Sequence, residues 1–199
     1  VKSPEKLKVM KKVFLVILSA ASFLVGQAQI NVGVKSGFNF SNLGPDLYGN
    51  RMKLSFHAGG YANIPLVDKF SVQPELIFSR QGAKFKDNNR DDAKLRLNYL
   101  NIPVLAKYND PSGFYAETGP QFGFLINAKV KNDGNLYGVS GSYNSFDFSW
   151  GFGAGFRVTE EASIGLRWNL GLTDVSKYAG TVRNTVLQLG VAYRLATLN

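Results

Sequence analysis

Acid–base or nucleophilic catalysis needs a base beside a nucleophile, and this chain holds few of the parts. His57 is its one histidine and cysteine is absent. That composition excludes thiol chemistry, disulfides, thiolate metal sites and a histidine zinc cluster. No Gly-x-Ser-x-Gly elbow and no His-Glu-x-x-His pattern accompanies His57, so it reads as a structural hydrogen-bonder. Asp91 and Asp92, beside Asn88 and Asn89, read as a solvated acidic loop rather than a cation site. What remains is a set of charges of both signs placed between apolar residues: Lys35, Glu75, Lys107, Glu117, Arg157, Arg167 and Arg194. Opposite charges that face a narrow interior pair, because an isolated buried charge is costly. We expect a salt-bridged network that plugs a lumen, with Glu75 and Glu117 meeting Lys107, Arg167 or Lys35. An ion-lined pore is the competing reading of the same residues. No catalytic, cofactor or metal-binding residue is assigned.

The elements that must position those charges are strands. From Gln29 onward the sequence alternates with period two, the mark of strands with unlike faces. Phe146, Phe148, Trp150, Phe152, Ala154 and Phe156 alternate with Asp147, Ser149, Gly151, Gly153, Gly155 and Arg157. Ile164, Leu166, Trp168, Leu170 and Leu172 alternate with Ser163, Gly165, Arg167, Asn169 and Gly171. Eight such runs occur, each of about 10 to 15 residues, where globular strands usually reach 5 to 6 and a tilted membrane strand needs about 9 to 11. Short turns fall at 66–69, 109–113 and 159–162. Longer polar loops fall at about 41–52, 85–94, 129–144 and 173–184. Short turns on one rim and long loops on the other predict an eight-stranded antiparallel up-and-down transmembrane β-barrel, apolar face outward.

A soluble lipocalin-like barrel, with its apolar face around a ligand, is the alternative. It would need an outer face rich in Lys and Glu. The second face here is instead rich in glycine (Gly33, Gly37, Gly151, Gly153, Gly155, Gly165, Gly171), which suits a narrow lumen. Aromatics flank the strands in two bands, as at the two water interfaces of a membrane. Phe38, Phe40, Phe78, Phe146 and Phe148 lie toward the long loops. Phe70, Tyr108, Phe114, Phe156 and Tyr193 lie toward the short turns. Pro74, Pro103 and Pro120 fall on three consecutive strands and predict a bulge or a notch, because proline removes a ladder hydrogen bond.

Residues 1–28 read as an upstream extension and a cleavable signal peptide. Met10-Lys11-Lys12 opens a positive stretch, Val13 to Val25 is apolar, and Gly26-Gln27-Ala28 offers small residues for cutting after Ala28. The formal charge of the whole chain is +9; the basic excess left after removal of the signal is mild and suits acidic lipid headgroups, with no nucleic-acid patch.

Phe70-Ser71-Val72-Gln73-Pro74-Glu75-Leu76 through Ser79-Arg80-Gln81-Gly82, Leu97-Asn98-Tyr99-Leu100-Asn101-Ile102-Pro103 through Lys107-Tyr108, and Gly190-Val191-Ala192-Tyr193-Arg194 together resemble the PorT-like outer-membrane β-barrel proteins of the Bacteroidetes type. The resemblance spans the chain after the signal. It implies a Gram-negative outer membrane with both termini periplasmic, and contact with outer-membrane lipids. It also implies passage through the barrel assembly machinery. Gln188, Gly190, Tyr193 and Leu195 have the spacing of an assembly signal, with Leu195 where an aromatic is usual. The expected role is non-catalytic, structural or surface-interacting, with an unidentified extracellular or envelope protein as partner. A small channel or transporter is the alternative. The loop at 129–144, with Lys129, Lys131, Asp133, Gly134, Asn135, Tyr137, Tyr143 and Asn144, is the expected contact surface.

Overall fold

A computed structural model of the chain describes residues 29–45, 50–87, 90–132, 135–178 and 180–198. The expected signal segment 1–28 lies outside the described residues, as do Asn88, Asn89, Asp133 and Gly134. Eight long antiparallel strands follow one another in chain order: β1 (Ile30–Pro45), β3 (Lys53–Val67), β4 (Phe70–Gln81), β6 (Arg90–Asn109), β7 (Phe114–Asn132), β9 (Phe146–Arg157), β10 (Ala162–Asp174) and β11 (Val182–Leu198). Each pairs with the next, and β11 pairs back onto β1, closing a ring. Three short strands, β2 (Asn50–Arg51), β5 (Lys84–Asp87) and β8 (Asn135–Gly138), extend the sheet at the rim of the long connections. The loops expected at 85–94 and 129–144 are thus partly strand. The one helical element among the described residues is a 3-10 turn at Ser140–Ser142.

The orientation of the strands settles the fold class. Trp150, Phe152, Leu166 and Trp168 are 37 to 52% exposed, whereas Glu75 and Arg167 are each 3% exposed. The apolar face points outward and the lipocalin-like alternative fails. The pairing also fixes the stagger of the ring. Tyr115 lies opposite Gly155, then Gly165, Gly190, Gly37, His57, Ser79 and Tyr99, and the row returns to β7 at Leu125. A row that comes back ten residues further along its own strand belongs to steeply tilted strands, about 35–45° from the axis, around an interior that side chains fill.

Four consecutive members of that row are glycines, and two large lumen groups lie along them. A Cβ on Gly155 or Gly165 would meet the Tyr115 phenol, and one on Gly37 or Gly190 would meet the His57 ring. The glycines therefore make room for aromatic side chains that cross the lumen.

The three strand prolines do not produce the expected bulge. Between β4 and β6 the ladder passes from Pro74↔Val104 to Ile77↔Asn101, and between β6 and β7 from Pro103↔Gln121 to Ala106↔Thr118. Pairs are missing, yet the register is unchanged, so the missing donors open gaps without bending a strand. Register shifts fall elsewhere, at Pro65/Val67, Phe85/Asp87 and Leu170/Asp174 near strand ends and at two bulges within long strands. Leu195 is an extra residue on β11 opposite Val32 and Gly33, and Ile126 is one on β7 opposite Asn98 and Tyr99. The second bulge inverts the phase of β7. Asn127, which alternation assigns to the lumen, stands outside and accepts from Asn98 Nδ2 at 2.8 Å, while Ala128 turns inward and is fully buried.

Candidate functional site

The lumen is built in layers, and the layer nearest the short turns is ionic. Arg167 on β10 and Glu75 on β4 rise from diametrically opposite strands of the ring. Arg167 Nη1 and Nη2 donate to Glu75 Oε2 and Oε1, each at 2.7 Å. Its Nε donates to Glu117 Oε1 at 2.7 Å. One guanidinium thus holds two carboxylates, one of them in the bidentate geometry that Arg favours. Glu117 on β7 and Arg167 both lie opposite Gly153 on β9, and a Cβ there would meet the Glu117 carboxylate. Gly153 is the gap through which the two side chains touch. Gln73 Nε2 donates to Glu75 Oε1 at 2.8 Å, and Lys35 Nζ reaches the same oxygen at 3.4 Å.

Two of the expected network members stand apart. Lys107 lies beside Glu117 in the ladder, but its ammonium sits 3.8 Å from the Tyr115 ring centroid and 3.4 Å from Gln73 Oε1. A cation–π contact replaces the expected carboxylate. Arg157 is exposed at the turn rim, beside Arg194, and both line a polar recess of about 100 Å³ with Tyr61, Asn63, Lys107 and Tyr115.

Above the ions lies a neutral hydrogen-bonded layer that alternation places inside without revealing its connections. Asn169 Nδ2 donates to Gln188 Oε1 at 3.1 Å, and Gln188 Nε2 to Asn39 Oδ1 at 3.1 Å. Asn39 Oδ1 also faces His57 Nδ1 at 2.8 Å. Because that oxygen only accepts, Nδ1 carries the proton, and the buried Nε2 is left without a partner. Asn39 Nδ2 in turn donates to Ser79 Oγ at 2.9 Å. His57 is thus one link in a packed network, and no described serine hydroxyl bonds to it.

The third layer is apolar. Leu43, Ala83, Leu95, Leu97, Tyr99, Ala128, Val175 and Val182 cluster inside the long-connection end, each at most 1% exposed. Leu95, Leu97 and Tyr99 continue the inward face of β6 past Asn101 and Pro103, so this end of the barrel holds a packed core rather than a channel. Among the described residues no three His, Asp or Glu side chains converge as a metal-binding group.

Outside, aromatics lie toward both rims and also at mid-height, where Trp150, Phe152 and Trp168 are exposed. Phe38 pairs with Phe56, which packs 5.9 Å from Phe78, and Phe124 lies 5.8 Å from Phe146 near the loop rim. Phe70 lies 5.3 Å from Tyr108, and Phe114 pairs with Phe156 near the turn rim, where Tyr193 is also exposed. Of the residues expected to form the assembly signal, Gln188 and Gly190 face the lumen, while Tyr193 and Leu195 face out, Leu195 on the bulge. In the expected contact loop, Lys129 and Lys131 belong to β7, Asn135 and Tyr137 to β8, and Tyr143 packs on the apolar cluster.

Residues 25–177 match the family profile described as "Outer membrane protein beta-barrel domain". No curated protein matches the sequence. Among solved structures, neisserial surface protein A (NspA) is similar at 14% identity and a TM-score of 0.55, over 82% of this chain and 97% of that one. Ail, the attachment invasion locus protein of Yersinia pestis, is similar at 16% identity and a TM-score of 0.49, over 84% and 99%. Ail in complex with the heparin analogue sucrose octasulfate gives 15% and 0.50, over 84% and 99%. At such identities the likeness is one of fold.

Proposed function

The chain belongs to the outer membrane protein β-barrel domain family, and on that premise we propose that it is a non-catalytic barrel with a plugged lumen. It would serve as a structural or surface-interaction protein through its long connections. The observation that carries this is the closure of the lumen at successive depths. Arg167, Glu75 and Glu117 join opposite walls, and the apolar cluster around Leu97 and Tyr99 seals the end beyond them. The ionic layer joins Lys35, Glu75, Glu117 and Arg167, while Lys107 and Arg157 line the recess.

In this reading residues 1–28 are the upstream extension and signal peptide, 29–199 is the barrel, and the short turns and both termini face the periplasm. Gln188, Gly190, Tyr193 and Leu195 address the chain to the assembly machinery. The likeness of Phe70–Gly82, Leu97–Tyr108 and Gly190–Arg194 to PorT-like barrels supports a kinship with that family. The contact surface for an envelope or extracellular protein is the 129–144 region. Single-channel recording in planar bilayers tests the plug. The expected trace shows no stable openings, and reproducible large conductance steps would overturn it.

A further inference from the structure

The outer face of the loop rim carries a row of like charges that nothing described on the chain neutralises. Arg51, Lys84, Lys94 and Lys131 lie directly opposite one another across β2, β5, β6 and β7, and Arg96 lies opposite Lys129 in the next row. The Ile126 bulge is what turns Lys129 and Lys131 outward. No described carboxylate forms an ion pair with any of these residues. Like charges directly opposed across a ladder destabilise it, so a sheet that keeps six of them is built for an anionic partner. Below the row, Arg80 donates from Nε to Asn98 Oδ1 at 3.1 Å and lies 5.2 Å from the Phe56 ring.

The height of the patch selects the partner. Arg80 is two residues beyond the lipid-facing Phe78, and Arg96 is four residues beyond Leu100. At about 3.3 Å per residue and a tilt near 40°, these groups stand about 5 to 10 Å above the apolar band. One headgroup layer is about 5 to 7 Å thick, so Arg80 stands within it and Arg96 at its outer edge. Lys84, Lys94 and Lys131 stand just above it, on stems long enough to reach down. We propose that this face binds the phosphate groups of membrane lipids in the leaflet at the loop rim, holding a phosphorylated lipid against β4, β6 and β7. The site rests on the membrane-barrel reading above, with the loop rim as the outer one.

The test uses the full chain in phosphatidylcholine nanodiscs containing a minor fraction of a phosphorylated glycolipid or its dephosphorylated counterpart, with retained lipid counted by native mass spectrometry. The wild-type chain is expected to retain the phosphorylated lipid about tenfold or more above the variant Lys94→Gln/Arg96→Gln/Lys131→Gln. A control at the other rim, Lys69→Gln, should match wild type. Lys131→Gln alone, expected to lose about fivefold, carries the test if the triple variant does not refold. Equal retention in the loop-rim variant, with the heat-modifiable gel shift intact, would overturn the site alone. Preference for a soluble sulfated oligosaccharide over the phosphorylated lipid would also overturn it. Loss of the gel shift in the wild-type chain would overturn the barrel reading and the site with it.

Discussion

Arg167→Ala is the substitution that most directly probes the ionic layer. The guanidinium donates three hydrogen bonds of 2.7 Å to Glu75 and Glu117. Without it, Glu75 keeps Gln73 at 2.8 Å and Lys35 at 3.4 Å, while Glu117, whose Oε2 is already unpartnered, keeps no described donor. Removing one partner of a buried ion pair costs about 3–5 kcal/mol, because the other charge stays desolvated. Two carboxylates are stranded here, so we expect the upper part of that range, about 4–5 kcal/mol. The triple variant Arg167→Met/Glu75→Gln/Glu117→Gln removes all three charges and should return to within about 1–2 kcal/mol of wild type. Urea unfolding in lipid bilayers, followed by the fluorescence of the lipid-facing Trp150 and Trp168, measures both. Conductance should stay closed in either variant, since the His57 layer and the apolar cluster are untouched. A loss below about 1 kcal/mol for Arg167→Ala, or a triple variant as unstable as the single one, would refute the reasoning.

Gly165→Val should destabilise the barrel by about 1–3 kcal/mol through collision with the Tyr115 phenol. Tyr115→Ala should cancel most of that penalty in a double-mutant cycle read by the same unfolding assay. Trp168→Arg, at the midpoint of β10, should cost about 2–4 kcal/mol in a bilayer, and equal stability would mean that this face does not meet hydrocarbon. In the β6–β7 turn the Ser112 backbone N–H donates to Asp110 Oδ1 at 3.0 Å and holds the carboxyl below its ordinary value of 3.8. A lowered folded-state value gives stability that is present above the unfolded value and lost as pH falls through the folded one. Asp110→Asn should therefore flatten the acid limb of a stability–pH profile, and an unchanged limb would show that the turn does not contribute.

Much of the ring was legible because period two is a strict signal: one residue's displacement moves a side chain to the other face. Trp150, Phe152, Leu166 and Trp168 on one side, with Glu75 and Arg167 on the other, follow directly from it. Its failures are also physical. Alternation carries no sign of the Ile126 bulge, so Asn127 reads as a lumen residue, and everything after it on β7 shifts phase. Nor does it separate an apolar residue facing lipid from one facing an inner core; Leu95 and Leu97 lie inside because the ring is capped there. Partner choice was the least legible. Lys107 neighbours Glu117 along the ladder, but Arg167 reaches that carboxylate across Gly153, and no pattern along one strand encodes a gap on the next.

The bond between Arg167 and Glu75 also dates itself within assembly. In a flat sheet of the same strand order, β4 and β10 are separated by four inter-strand spacings of about 4.8 Å each, far beyond the reach of two side chains. The contact comes into being when the sheet rolls up and its first and last strands meet, so until then both groups remain hydrated. An interaction formed so late slows unfolding more than it speeds folding. The staple acts as a latch: its loss would be felt in the lifetime of the finished cylinder, with little change in the pace at which the cylinder is made.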